Sequence, residues 1–297
     1  MKVINPNFII IGAMKAATTS LYTYLKQHPD IFMSSIKEPK FFNNFNKDSR
    51  FKLQGKGLIK IKTLDQYQNL FKEAINEIAI GEASPSYIFD ENCHILIKKI
   101  LPKAKIIAIL RQPVERAYSN FLHAKRADQE KDTDFEKAFN EEDKILKKGI
   151  KTHYYLEKGF YYKQLKKYYD VFPKEQIKII LFEDMIKNPG EVTQEVFKFL
   201  GVDSSFIPNT SKKANVSGVP KGYLGWSVMK LRKNNLIPDI EFGKILPKFL
   251  VDLILKTIYS KPKKMNKELV KELTRKYYLE DIKKLEKLIN QDLSTWI

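Results

Sequence analysis

Short apolar runs alternate with segments whose apolar residues recur at helical spacing, and that alternation predicts a parallel sheet covered by helices. Residues 8–11, Phe-Ile-Ile-Ile, read as the first strand. Residues 18–27 read as a helix stopped at His28-Pro29, because proline pushes the residue before it out of the helical region. Residues 78–81 form a short strand, and residues 105–110, Lys-Ile-Ile-Ala-Ile-Leu, a strand buried on both faces. A helix opens at Pro113, where the missing N–H costs nothing. Residues 161–172 read as a helix, 177–182 as a strand, and 191–200 as a helix closed by Gly201. Leu269, Leu273, Tyr277, Leu285 and Leu288 predict an amphipathic helix near the C-terminus. Residues 43–63 and 212–225, rich in Lys, Asn, Ser or Gly, are candidate active-site loops. The expected fold is α/β, a central parallel sheet flanked by helices around a P-loop-like nucleotide-binding core. One domain over residues 1–297 is expected, helical from about residue 223 onward.

Composition narrows the class without choosing a function. With 43% apolar and 12% aromatic residues the chain can build a core, which excludes a disordered protein. It contains no unbroken apolar run of 18 residues, so no spanning helix is expected. Residues 8–11 are too short for the core of a signal peptide. The single cysteine, Cys93, excludes a disulfide framework and a cysteine-built metal site, and a cytoplasmic location is expected. The net charge of +18 points to an anionic partner or to lysine-rich solvated helices. Residues 212–297 hold 19 Lys and Arg against 9 Asp and Glu, so +10 of that charge lies there.

The segment from Phe8 to Leu21 changes the picture, because it reads as strand, tight turn and helix start. Gly12 allows a sharp turn, and the N–H groups and dipole of the following helix attract an anion. Lys15 adds a mobile positive charge, Thr18, Thr19 and Ser20 add hydroxyl donors, and Ala16 and Ala17 lie between them. A nucleoside-triphosphate loop reads G-x-x-x-x-G-K-[ST], with the hydroxyl of its Ser or Thr on magnesium. Here Ala17 stands at the second glycine and Lys15 comes only three residues after Gly12. The early lysine can reach a bridging oxygen of a leaving group. Glu183-Asp184, after the strand at 177–182, could imitate a metal-binding acidic pair, but the matching loop is missing. The four histidines show no ligand spacing, and no metal is expected.

These residues resemble the sulfotransferase family over most of the chain. The stretch Gly12 to Leu21 is similar to that family's loop for the 5′-phosphosulfate, and Ile106 to Asn120 resembles its second motif, a strand and helix holding a 3′-phosphate. The resemblance implies 3′-phosphoadenosine 5′-phosphosulfate as donor, adenosine 3′,5′-bisphosphate as product, and Arg111 and Ser119 as 3′-phosphate ligands. Ser-Ile-Lys-Glu-Pro-Lys-Phe-Phe, residues 35–42, looks like the K-E-x-x-F-F segment of the branch holding the heparan-sulfate and tyrosylprotein enzymes. By that likeness Glu38 is the general base, with Lys15 on the bridging oxygen and Lys37 and Lys40 beside the substrate. His123 is the other candidate base or a substrate contact. Gly-Glu-Ala-Ser-Pro-Ser-Tyr, residues 81–87, resembles a segment beside the acceptor, which brings Tyr87 to the substrate. Ala83 replaces a lysine of the heparan-sulfate enzymes there and argues against a glycosaminoglycan acceptor. Residues 214–222 look like a late loop closing over the nucleotide, with Lys221 and Gly222 as phosphate contacts.

The expected function is therefore sulfuryl transfer to a hydroxyl or amine of an acceptor, a carbohydrate or glycolipid. The alternatives are a P-loop kinase or NTPase, and a basic protein that binds anionic membrane or nucleic acid. Residues 245–258 are apolar enough to lie on a lipid surface, and Lys261, Lys263 and Lys264 follow them. Peripheral contact with an anionic membrane is thus compatible with a lipid-linked acceptor, and no nucleic-acid partner is expected.

Overall fold

A computed structural model describes residues 4–45, 61–127, 129–130, 132, 134–147, 155–211, 219–220, 227, 257, 259–260 and 264–297. Two compact units interleave along the chain: residues 1–116, 158–214 and 273–297 form the first, and residues 117–157 and 215–272 the second.

The first unit is built on five parallel strands in the order β2-β3-β1-β4-β5. The strands are β1 (Phe8–Gly12), β2 (Ile31–Met33), β3 (Ala79–Ala83), β4 (Lys105–Leu110) and β5 (Ile177–Leu181). β1 is central and pairs with β3 through Phe8↔Gly81 and with β4 through Ile9↔Ile106. Every residue of β1 is buried, and β4 is buried from Ile106 to Leu110. Both faces of these strands are covered, which is why they read as unbroken apolar runs. The crossovers are helical: α1 (Thr18–Leu25) between β1 and β2, then α2 (Phe41–Asn44), α3 (Leu64–Gln68) and α4 (Cys93–Ile100) before β4. Helix α5 (Pro113–Arg126) follows β4 and runs into the second unit.

The pattern missed β2, three residues too short to show an alternation, and set β3 slightly early. It carried the first helix two residues beyond Leu25 and gave Phe182 to β5. The helix expected over 161–172 ends at Tyr169, and the one expected over 191–200 begins earlier, at Pro189. Five further helices are α6 (Phe135–Lys147), α7 (Tyr161–Tyr169), α8 (Phe182–Lys187), α9 (Pro189–Leu200) and α10 (Lys267–Tyr277). Gly201 closes α9 at φ 87, and Lys105 Nζ binds the carbonyls of Phe199 and Leu200 at 2.6 and 3.0 Å, a cation on the negative end of a helix. The single C-terminal helix expected from the leucine spacing is two, α10 and α11 (Leu279–Ile289). Tyr278 separates them, fully buried against Phe160, and Asp281 of α11 accepts the Tyr162 N–H of α7 at 2.9 Å. Docking decides the break, and periodicity within one helix cannot show it.

In the second unit, Phe121 and Phe135 meet edge to face at 5.6 Å, and the Tyr155 N–H donates to buried Glu142 at 2.6 Å. A two-residue antiparallel pair joins β6 (Val219–Pro220) to β7 (Tyr259–Ser260). The helical character expected from residue 223 is observed from Lys267 on, and most of 223–263 lies outside the described residues. So do residues 46–60 and 212–218 of the two candidate loops. Among the described residues no helix is long and apolar enough to cross a membrane.

Gly81 is required by close packing: a Cβ there would fall 2.4 Å from the Phe8 ring. Gly81→Ala is expected to cost about 1–3 kcal/mol, the usual range for overpacking, read as a lower urea midpoint with an unchanged slope.

Candidate active site

Parallel strands end on one edge of a sheet, and in open α/β folds ligands bind there. The loop after β1 leaves from the middle of that edge. Ala13 N–H donates to the Ile109 carbonyl at 2.7 Å, which ties the loop to β4. Lys15 and Ala17 both sit in the left-handed region, at φ 69 and 64. Ala17 occupies the position where a triphosphate loop has glycine, and a non-glycine residue held so costs on the order of 1 kcal/mol. Gly12 itself is not left-handed. A Cβ on it would come 2.5 Å from Ile88, so it answers to a close neighbour and not to a turn angle.

Helix α1 starts at Thr18 with no side-chain cap and no acidic residue in its first turn. Its opening N–H groups have no partner within the helix, and the positive end of its dipole points the same way. The N–H of Ala16 is turned back to Ala13 O at 3.3 Å and that of Ser20 to Ala17 O at 3.0 Å. The Thr18 side chain is buried, so Thr19, Ser20 and Lys15 are the more accessible groups of the predicted set.

Arg111, the first residue after β4, reaches this loop. Its Nη1 donates to the Lys15 carbonyl at 3.5 Å, and its guanidinium lies over the Phe182 ring at 4.4 Å. Tyr161 Oη donates to the Arg111 carbonyl at 2.9 Å. Glu115, one turn into α5, takes Nη2 at 3.0 Å. A phosphate arriving at Arg111 would have to share the fork with this carboxylate. The Arg-x-x-x-Glu spacing is visible in the sequence, but a surface pair and a phosphate clamp look alike there. Next to Arg111, Gln112 Nε2 donates to Thr274 Oγ1 and the Trp296 carbonyl at 2.5 and 3.2 Å, so the chain's end fastens this turn.

Glu38 lies beyond β2, at φ 59, with its N–H on the Ala83 carbonyl at 3.1 Å. Lys37 Nζ meets one carboxylate oxygen at 2.8 Å and Lys40 Nζ the other at 3.5 Å. Burial pushes the Glu38 pKa up, but the Lys37 bond and charge and the Lys40 ammonium outweigh it, and the group is held below the ordinary glutamate value. The structure thus resolves the opposition between burial and lysines in favour of the lysines: Glu38 is ionised at neutral pH. Phe41 and Phe42 anchor the turn. Both are fully buried, Phe41 stacked on Tyr67 at 4.4 Å and Phe42 edge-on to Tyr87.

Sequence reasoning missed Glu82, a fully buried carboxylate on β3. Ser84 Oγ donates to it at 2.7 Å and Tyr67 Oη at 3.3 Å. Burial drives its pKa up to about 7, against those hydrogen bonds and one from Tyr87. The only signal was a glutamate inside an apolar run. Tyr87 was expected beside the acceptor and is corrected: it has no exposed surface, and its hydroxyl is used within the core, where the Phe42 N–H donates to it at 3.4 Å.

Ser119 and His123 lie one turn apart on α5, in the second unit, with His123 exposed. Lys221 and Gly222 lie outside the described residues. Glu183 is engaged by the Gln112 N–H at 3.4 Å, and among the described residues no three His, Cys, Asp or Glu side chains converge as metal ligands.

A parallel sheet with an uncapped helix start on its central strand, and an arginine from the next strand against that loop, defines an anion-binding α/β protein of the phosphate-loop type. The chain belongs to the sulfotransferase domain family, whose model matches residues 5–221. A sulfotransferase from Alicyclobacillus acidocaldarius is 32% identical, with a TM-score of 0.73 over 99% of each chain. Carbohydrate sulfotransferase 15 of Mus musculus is 29% identical over 255 residues, covering 66% of this chain and 44% of the relative. The bifunctional heparan sulfate N-deacetylase/N-sulfotransferase 3 of Homo sapiens is 30% identical over 212 residues, covering 66% and 22%. The chain spans less than half the length of these curated relatives.

Glu82 makes stability depend on pH. Between the unperturbed 4.5 and about 7 the folded chain keeps a proton there that the unfolded chain has released. The stabilisation is complete below the lower value and lost as pH rises through the upper one. Between pH 5 and pH 8 the wild type is expected to lose about 2–3 kcal/mol relative to Glu82→Gln in urea unfolding; equal pH dependence would show that Glu82 titrates normally.

Proposed function

We propose that this chain transfers a sulfuryl group from 3′-phosphoadenosine 5′-phosphosulfate to a hydroxyl or amine of an acceptor, a carbohydrate or glycolipid. The observation that carries the reading is the junction of Arg111 with the Lys15 loop at the edge from which Glu38 also emerges. The uncapped start of α1, the absence of acid in its first turn and the planar guanidinium suit a nucleotide with phosphates at both ends. The carbohydrate and heparan sulfate names of the relatives support the acceptor class, while Ala83 argues against a glycosaminoglycan. Residues 1–297 are read as one sulfotransferase domain, and the family match crosses both units in sequence.

When bound, the donor supplies the sulfuryl group and retains the bridging oxygen on its bisphosphate product. Lys15 neutralises charge growing on that oxygen, and the α1 amides hold the 5′-phosphate. By the family likeness Arg111 and Ser119 are the 3′-phosphate ligands, and Lys221 and Gly222, outside the described residues, are further phosphate contacts. Glu38 takes the acceptor proton. A carboxylate held low by two lysines is a weak base, so Lys37 and Lys40 must turn toward the anionic donor or acceptor as the proton moves; His123 is the second candidate for this role. Positioning and charge stabilisation carry such a transfer, as in phosphoryl transfer. No step draws on the acidic pair Glu183-Asp184, so the proposal includes no metal.

We place the enzyme in the cytoplasm, with peripheral contact to anionic membrane through residues 245–258 and the lysines after them. Flotation with anionic but not neutral liposomes is the expected result.

A transfer assay with labelled donor across saccharide, glycolipid, peptide and small-metabolite acceptors tests the function. Glu38→Gln is expected to cut turnover by roughly 10²–10⁴ with little change in bisphosphate affinity, and Arg111→Ala to weaken that affinity. Calorimetric titration with adenosine 3′,5′-bisphosphate separates the two; tighter binding and magnesium-dependent turnover of ATP would favour a kinase instead.

A further inference from the structure

We infer that Glu82 and Ser84 are a positioning pair that fixes Lys40, and through Lys40 the charge state of Glu38. The inference rests on the proposed role of Glu38 as the base and concerns two residues that touch neither donor nor acceptor in that proposal.

Both side chains are fully buried. Ser84 has one hydroxyl proton, and it is committed to Glu82 Oε2 at 2.7 Å. Its oxygen is therefore turned as an acceptor toward the Lys40 N–H, 3.1 Å away. Glu82 is itself held from the other side by Tyr67 Oη at 3.3 Å. The bridge runs from α3 through β3 to the residue opening α2, and with Glu82 ionised its two carboxylate oxygens accept from Tyr67 and Ser84.

Lys40 needs such a hold. It sits at φ 53, a left-handed conformation that a lysine does not adopt unaided, and it precedes α2 without a side-chain cap. Relaxation to the right-handed region would withdraw its N–H from Ser84 and carry its ammonium away from Glu38 Oε2. Ser84 also donates its own N–H to the Ile10 carbonyl of β1 at 3.0 Å, and its neighbour Ala83 accepts the Glu38 N–H. One short segment after β3 thus sets the Glu38–Lys40 turn against the strand that carries the phosphate loop. The charged or titratable groups acting on Glu38 here are Lys37, Lys40 and Glu82, and those facing Glu82 are Tyr67, Tyr87 and Glu38.

The test is a carbon-detected NMR titration of Glu38 in wild type, Ser84→Ala and Glu82→Gln, beside kinetics and bisphosphate calorimetry. Losing the bridge frees Lys40, so the Glu38 pKa is expected to rise by about half to one unit in Ser84→Ala. The shift should be smaller in Glu82→Gln, whose single amide oxygen serves only one of the two hydroxyls. The acid limb of kcat/KM should move to higher pH with it, while bisphosphate affinity stays within about twofold. A purely structural role would lower stability and leave the Glu38 titration in place, and that result overturns the inference. Should the variants not fold, the wild type still decides. Its Lys40 amide is expected to exchange at least about 100-fold slower than an open one, and fast exchange overturns the bridge. If the wild type transfers no sulfuryl group, the functional reading fails by itself, and the titration still judges the pair.

Discussion

The site depends on the hydrogen-bonded register of β1 between β3 and β4. Because all five strands are parallel, their carboxyl ends share one edge, and each neighbour of β1 brings a group to β1 or to the loop it carries. From β4 comes Arg111, whose guanidinium closes on the Lys15 carbonyl. From β3 comes Ser84, bonded to β1 at Ile10 and to the Lys40 turn. A slip of one residue in either pairing would turn every side chain to the opposite face of the sheet and take these groups out of reach.

Around that edge the chain uses backbone conformations that side chains disfavour. Lys15, Ala17, Glu38 and Lys40 are all left-handed, and all lie in the two segments that carry the proposed chemistry. Residues of this kind persist only where surrounding structure over-determines them. Here the determinants are visible: α1 behind Ala17, and the buried Phe41, Phe42, Tyr67 and Tyr87 behind Lys40. Aromatic packing holds the turn in place, and the bridge through Ser84 adds a hydrogen bond to the Lys40 N–H itself.

The electrostatics follow one logic. The loop is positive and has no acid of its own, while the carboxylates nearby are each restrained: Glu115 by Arg111, Glu38 by two lysines, Glu82 by burial. An anion entering the site would compete with Glu115 for Arg111 and with Glu38 for the lysines. Exchanging one anionic partner for another costs less than exposing a buried charge, which favours a site that is stable both before and after turnover.

The elements and the loop were legible in the sequence because they depend on local chemistry. The apolar runs of β1 and β4 announce strands buried on both faces, and Gly12 to Ser20 announces a turn and a helix start. The likeness of residues 35–42 to a family segment, and not local chemistry, is what singled out Glu38 as a candidate. What the sequence could not show is anything that depends on two distant segments meeting. β2 is too short to have a period. Tyr278 breaks the final helix only because a pocket by Phe160 receives it. Tyr87 looked like a substrate contact, and the fold consumed it in the core. Glu82 read as one polar residue in an apolar run, yet burial on β3 moved its pKa to about 7. Residue type sets which charges are available; only tertiary packing sets how much water each one keeps, and hydration decides their protonation.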